Sequence, residues 1–384
     1  MKKTRIRYFD YSLLFIVIFL VGFGLVMLYS TSSYNGQVKF GDNAFYLKKQ
    51  VFATGLGFAA MLVIARIDYH FWKPFWLLAY LAAFGLCTVV MLVGEEYNGS
   101  RRWLEIGPIS FQPSEVAKLA IIIFLAAIIS RMPKKMGSLL NIVKVMALTL
   151  PIVAVVAAEN LSTAIIILGI AVALIFVSSP RYLQFILMAM GVLIVGVAFI
   201  LMESYRLDRL KIWLEPEKYE KGYQTLQGLY AIGSGGLFGK GLGASMQKLG
   251  FVPEAQNDMI FSIICEELGL FGAICVILLF VFLLWRFMVI ANNAQDLYGA
   301  LTVTGIMAHI AIQVILNIAV VTNTIPNTGI SLPFISYGGT SVLFLMAEMG
   351  LALSVSRGIR FEEETEAVGS GERAGAKAGL RDLV

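Results

Sequence analysis

From residue 297 to residue 347 the chain carries no Asp, Glu, Lys or Arg. A stretch that long without charge suits a bilayer. A spanning helix needs about 20 consecutive apolar residues, and hydrocarbon offers its backbone no hydrogen-bond partner outside the helix. The turn-rich segment Asn323-Thr-Ile-Pro-Asn-Thr-Gly-Ile-Ser-Leu-Pro333 divides this stretch into two helices. Charge-free runs at 11–30, 74–94, 160–180, 182–202 and 268–285 each suffice for a span, and shorter apolar runs at 50–65, 119–130 and 145–158 can span by recruiting polar flanks. The sequence therefore predicts an all-α integral membrane protein, a bundle of about ten transmembrane helices.

Composition excludes the main alternatives. Of 384 residues, 58% are apolar and 14% charged, against about 45–50% and about 25% in soluble domains, so little chain remains for a folded soluble unit. The net charge of +5 does not imply nucleic acid, because the bases crowd the helix ends, where orientation rules account for them. Cys87, Cys265 and Cys275 lie in apolar runs without paired or metal-ligand spacing, which argues against a disulfide framework or a zinc site. No small-residue cleavage pattern follows the first apolar run, so it reads as an uncleaved span.

An even number of spans puts both termini on one side. Placing them in the cytoplasm puts Lys2, Lys3, Arg5, Arg7, Arg66, Lys73, Arg131, Lys134, Lys135, Lys144, Arg181, Arg286, Arg357 and Arg360 inside. Only Lys39, Lys48, Lys49, Arg101, Arg102 and Lys118 then fall in the short outer loops, as the positive-inside rule requires. The segment 203–257, between the seventh and eighth spans, becomes a large extracytoplasmic loop. The tail 361–384, rich in Glu, Gly, Ala and Lys, reads as a disordered cytoplasmic end.

Ionisable groups in a membrane are costly, about 2.5–3.5 kcal/mol each near a helix centre, and so point to function. Glu115 and Lys118 stand at i and i+3 at the outer start of the fourth span, on one face, and can pair. Asp258, Ser262 and Glu266 form an i, i+4, i+8 stripe on the eighth; for Asp258 a helix N-cap is the bland alternative. Glu348 lies inside the tenth. His309, Gln313 and Asn317 share a face of the ninth, where the amides can cross-link helices. The glycine-rich run 233–243 fails as a Walker motif and reads as a tight loop over the bundle mouth. Arg101 and Arg102, two adjacent outer arginines, suit an anion such as pyrophosphate or a lipid headgroup.

Four stretches together resemble the SEDS family of shape, elongation, division and sporulation proteins (FtsW, RodA and SpoVE). They are Asn98-Gly-Ser-Arg-Arg-Trp-Leu104 with Phe111-Gln-Pro-Ser-Glu-Val-Ala-Lys118; Gly222-Tyr-Gln224 with the glycine loop; Pro253-Glu-Ala-Gln-Asn-Asp-Met-Ile-Phe261 with Glu266-Glu-Leu-Gly269; and the run from Pro326 to Ser341. The resemblance makes 1–360 one polytopic membrane domain. It implies peptidoglycan glycosyltransferase activity on lipid II at the outer face of the bacterial cytoplasmic membrane. It also implies a class B penicillin-binding protein as transpeptidase partner, alongside other division proteins. The family's essential aspartate falls on Asp258, and its Glu and Lys pair on Glu115 and Lys118. Gln256, Lys240, Ser336 and Tyr337 stand in the same motifs as candidate substrate contacts. Where many members carry an acid, this chain has Asn160, and its connector looks more like FtsW than RodA, which leans to division.

Glycan growth requires an acceptor hydroxyl to attack the donor's anomeric carbon while lipid pyrophosphate leaves. One carboxylate suffices as general base, because the leaving group is already a stable anion. Asp258 takes that role in this reading. Arg101, Arg102 and Lys118 would neutralise the pyrophosphate, and Mg or Mn could assist. The rival readings are a lipid II flippase, for which the two halves show no inverted repeat, and a scaffold for division partners, which leaves the charged stripe unexplained.

Overall fold

The computed structural model describes residues 9–97, 100–106, 109–181, 186, 190–191 and 210–359. Most of the expected seventh span and the whole tail 361–384 lie outside these residues. Among the described residues nine helices are long and apolar enough to cross a membrane. They are α1 (Tyr11–Phe40), α2 (Phe45–Arg66), α3 (Trp76–Val93), α4 (Pro113–Arg131), α5 (Leu139–Glu159), α6 (Leu161–Ser178), α8 (Ile260–Asn292), α9 (Leu297–Val321) and α10 (Gly339–Gly358), with the shorter α7 (Tyr223–Gly235) preceding α8. A 3-10 segment, Tyr69–Phe75, runs into α3 as part of the same span.

The helices alternate in direction. The chain enters beside Asp10, whose side chain caps α1 and pairs with Arg286 at 2.6 Å, and the described chain leaves after α10 at the same end. The opposite end, here the site end, gathers the loops that carry the motifs. The helical expectation omits one feature there: a three-stranded antiparallel sheet, β1 (Glu95–Tyr97), β2 (Ser100–Ile106) and β3 (Ile109–Phe111), between α3 and α4.

Packing divides the helices into two kinds. α4 is buried along nearly its whole length, with Ala117, Ile121, Leu125 and Ile129 all inaccessible, so it is enclosed by protein. α1, α3 and α5 instead expose Phe15, Phe19, Leu78 and Leu140 on one side, as lipid-facing helices do. Small residues let backbones approach: a Cβ at Gly350 of α10 would come within 2.8 Å of the Met61 carbonyl of α2.

α8 is too long to be one span, since its 33 residues at about 1.5 Å each give about 50 Å against a core of about 30 Å. Gly269 breaks it, at φ 67° and ψ −167°. The glycine is required twice over, by the positive φ and because a Cβ there would collide with the backbone of Leu237 and Gly239. What remains, 270–292, is about 35 Å long and spans, while Ile260 to Leu268 belongs to the site end.

Candidate active site

Asp258 stands before α8 rather than on it. The helix starts at Ile260, its N-cap position is Met259, and no side chain caps it. The alternative of an N-cap role for Asp258 is therefore not realised, and the expected stripe with Ser262 and Glu266 loses its first member. The carboxylate instead accepts from the Gln224 Nε2 of α7, at 3.3 and 3.4 Å to its two oxygens. Its backbone carbonyl accepts from Asn317 Nδ2 of α9 at 2.8 Å, and the same amide nitrogen donates to the Ile330 carbonyl at 2.7 Å. One α9 side chain thus ties the aspartate to the connector between α9 and α10. Gly329 of that connector, at φ 67°, lies against the carboxylate. Among the described residues no Lys, Arg or His pairs with Asp258. Burial pushes its carboxyl up to about 7, the Glu254 charge adds to the rise, and Gln224 pulls the other way.

Glu115 and Lys118 meet as their spacing predicts, at 2.9 Å, with side chains 7% and 3% exposed. Lys118 Nζ also lies 3.4 Å from Gln313 Oε1 of α9, so one of its three N–H groups is left for a ligand. Glu115 Oε2 and Ser114 Oγ are buried without a protein partner. Gln313 is one turn from Asn317, so Lys118 and the Asp258 carbonyl are held from the same face of α9, about 6 Å apart along its axis.

The remaining candidates divide. Gln256 joins the site frame: its carbonyl accepts from Tyr337 N at 2.9 Å and its side-chain oxygen from Asn35 Nδ2 at 3.2 Å. Tyr337 packs edge-on against Tyr46. The Ser336 hydroxyl is turned inward, accepting from Leu332 N at 2.8 Å to close the connector's turn. Lys240 is bound to Glu266 at 2.7 Å and to Ser234 at 2.9 Å. Arg102 Nε donates to the Glu159 carbonyl at 3.0 Å. Arg101 lies on β2, its backbone opposite Glu96. Asn160, standing where an acid is usual, caps α6 by accepting from Thr163 N at 3.1 Å.

The glycine run packs against α8 where Gly269 breaks it, and together with the residues that follow the run it neutralises two acids of that helix. Glu267 accepts from Lys248 Nζ at 2.7 Å and from Ser30 Oγ at 2.7 Å. Glu266 takes Lys240 together with the Ser245 hydroxyl. The reading from residues alone places Glu266 in a membrane stripe and misses these lysines, because loop-to-helix partners leave no periodic signal. It also misses Gln224 as the aspartate's donor and the bond from His309 to Glu348, at 2.8 Å between α9 and α10.

Among the described residues no three His, Cys, Asp or Glu side chains converge on one point, so the donor set expected of a divalent-cation cage is not assembled there.

The family model described as "Cell cycle protein", covering FtsW, RodA and SpoVE, matches residues 11–360. The chain is 40% identical over 358 residues to "Stage V sporulation protein E" of Bacillus subtilis (strain 168), covering 92% of this chain and 98% of that protein. It is 33% identical to a "Probable peptidoglycan glycosyltransferase FtsW" of Geobacter sp. (strain M18), covering 93% and 99%. Among solved structures it resembles a chain from a peptidoglycan synthase complex, studied for how polymerization and crosslinking are coordinated. That match has TM-score 0.78 and 28% identity over 91% of this chain and 98% of that one. The rod shape determining protein RodA of Thermus thermophilus matches with TM-score 0.66 and 26% identity, over 91% and 97%. With nine spans among the described residues, the chain is a multi-pass membrane protein.

Proposed function

The chain belongs to the FtsW, RodA and SpoVE family of cell cycle proteins, and from that premise we propose that it is a peptidoglycan glycosyltransferase that polymerises lipid II, with Asp258 as its general base. The observation that carries the proposal is an acid without a cationic partner among the described residues, held by Gln224 at its carboxylate and by Asn317 at its carbonyl, and poised near neutrality. In the reaction the acceptor hydroxyl attacks the anomeric carbon of the donor. The C–O bond to pyrophosphate breaks, the lipid pyrophosphate leaves as an anion, and Asp258 takes the hydroxyl proton. Lys118, with one N–H left over, supplies charge toward the leaving group, helped by the arginines of β2. Gln256 and Tyr337 frame the mouth.

Several FtsW relatives and the FtsW-like connector support a role in division, and the sporulation relative supports a developmental one. A depletion strain that filaments favours the first; one that divides normally but forms no spores favours the second. The partner in this reading is a class B penicillin-binding protein, in line with the synthase complex that the fold resembles. Both termini face the cytoplasm of a bacterial cell and the site end faces outward, because Arg66, Lys73, Arg131, Lys134, Lys135 and Arg357 gather at the opposite end. Ser234→Cys should label with an impermeant maleimide in intact cells; labelling only after permeabilisation reverses the orientation.

The direct test is purified protein with labelled lipid II, alone and with the transpeptidase. Polymer establishes the enzyme. Lipid II that crosses vesicle membranes without polymerising would establish transport instead.

A further inference from the structure

His309 and Glu348 lie in the middle of the bundle, fully enclosed, and the chemistry above makes no use of them. His309 is on α9, three turns from its site end, and Glu348 is on α10. They belong to a chain of side chains that reaches the site. His309 Nδ1 is 2.8 Å from Glu348 Oε2, and His309 Nε2 is 2.9 Å from Gln313 Oε1. Gln313 Oε1 also faces Lys118 Nζ, and Gln313 Nε2 donates to the Ser331 carbonyl at 3.0 Å. Ser331 follows Ile330, whose carbonyl Asn317 ties to Asp258.

Hydrogen counting fixes the protons in this chain. The Ser331 carbonyl can only accept, so the nitrogen of the Gln313 amide must face it, and a lysine ammonium cannot face an NH2 group. Gln313 Oε1 therefore points at Lys118 and His309, which requires a hydrogen on His309 Nε2. With Nε2 committed, the contact between Nδ1 and the Glu348 carboxyl contains one proton, whether it resides on the ring or on the acid. Imidazole and carboxyl together form a neutral unit at either extreme, which is how two ionisable groups can be carried at this depth.

We propose that His309 and Glu348 act as a positioning pair, holding Gln313 in the one orientation that presents its oxygen to Lys118 and its nitrogen to the connector beneath Asp258. Their part in catalysis rests on the reading of Lys118 and Asp258 given above; the proton assignment does not. Without the pair the Gln313 oxygen loses one of its two donors, and the amide that anchors Lys118 and the connector is held less firmly.

Two measurements test this. The chain has two histidines, so nitrogen-15 NMR of histidine-labelled protein, assigned with His70→Asn, reads the His309 ring directly. Nε2 should be protonated at neutral pH, and in Glu348→Gln the ring should be neutral with its proton still on Nε2. A ring whose proton sits on Nδ1 overturns the proposal, whatever the activity. The second measurement is polymerisation. Glu348→Leu should lose about tenfold or more, the scale of a buried hydrogen-bond partner left unsatisfied, and Glu348→Gln, which can donate to Nδ1, should recover most of that rate. In a Gln313→Leu background, His309→Leu should add less than about twofold, since coupled residues do not act independently. Glu348→Gln as damaged as Glu348→Leu, or fully multiplicative losses in the Gln313 background, would overturn the positioning role. Should the leucine variants not fold, the NMR result and the Glu348→Gln rate still decide. An Asp258→Asn protein that polymerises normally would remove the active-site reading and leave the ring assignment standing.

Discussion

Asp258 and the adjacent acids Glu266 and Glu267 are about two turns of chain apart at the same end of the bundle, yet their surroundings are opposite. Glu266 and Glu267 are wholly inaccessible, and each receives a lysine of the segment between α7 and α8 at 2.7 Å together with a serine hydroxyl. A carboxylate enclosed and neutralised in this way is out of a substrate's reach, so it serves to fasten the loop to α8 where Gly269 breaks the helix. Asp258 is partly accessible, receives the Gln224 amide and neighbouring backbone N–H groups, and has no cation beside it among the described residues. Three acids within ten positions thus divide between structure and chemistry, and the partner decides which.

The largest effect that sharpens the contrast is expected from Asp258→Asn. The amide preserves shape and can still hold a hydrogen bond to Gln224 but cannot take a hydroxyl proton, so polymerisation should fall by about 10²- to 10⁴-fold while thermal stability stays near that of the parent. A folded Asp258→Asn protein working at the parent rate would abolish the distinction.

The loop acids should respond in the opposite sense. Lys248→Met strands the Glu267 charge in the interior, a penalty of about 3–5 kcal/mol, and should lower the melting temperature markedly. The pair Lys248→Met with Glu267→Leu replaces both charges with apolar bulk and should recover much of that loss. A single variant as stable as the parent would show that the lysine fastens nothing.

Glu115 and Lys118 stand between these extremes, an ion pair with one carboxylate oxygen and one ammonium proton unspent. Each alanine substitution should cost more than half of what the double substitution costs, with a coupling of about 0.5–3 kcal/mol in a double-mutant cycle. Strict additivity in stability would mean that the contact carries no energy.

These groups also show what can be read from residues and what cannot. The spans were legible because absence of charge is a local property, and the contact of Glu115 with Lys118 because helical spacing is local too. Asp258 was legible as a special residue, but its position was not. Asn257 and Asp258 look like cap residues, and only the turn made by Asn257 N on the Glu254 carbonyl, with Glu254 at φ 54°, keeps them off the helix. The partners of Glu266, Glu267 and Glu348 come from other elements, 19 to 237 residues away in sequence. Pairings of that kind arise from how helices and loops pack, and no periodicity announces them. Gly269 shows the same limit: an isolated glycine within an apolar run reads as a tolerated helix residue until the loop that crosses it is known.

The smallest predicted effect concerns pH, and it tests the contrast most closely. With the Asp258 carboxyl pushed up to about 7 by burial and the Glu254 charge, a base that must be ionised makes polymerisation rise between about pH 6 and about pH 8, with a midpoint near 7. Stability should move the other way. A carboxyl whose folded value is raised holds its proton more tightly in the native state than in the unfolded chain. Its contribution is therefore fully present below its ordinary value of 3.8 and is lost as pH climbs through about 7. Glu254→Gln removes the second cause of the rise and should shift the activity midpoint slightly downward, with little change in the maximal rate. Asp258→Asn should abolish this component of the stability trend altogether. Should Glu254→Gln shift the midpoint upward, or activity and stability rise together across this window, Asp258 would resemble the lysine-bound acids, ionised throughout, and the base assignment would pass to another group.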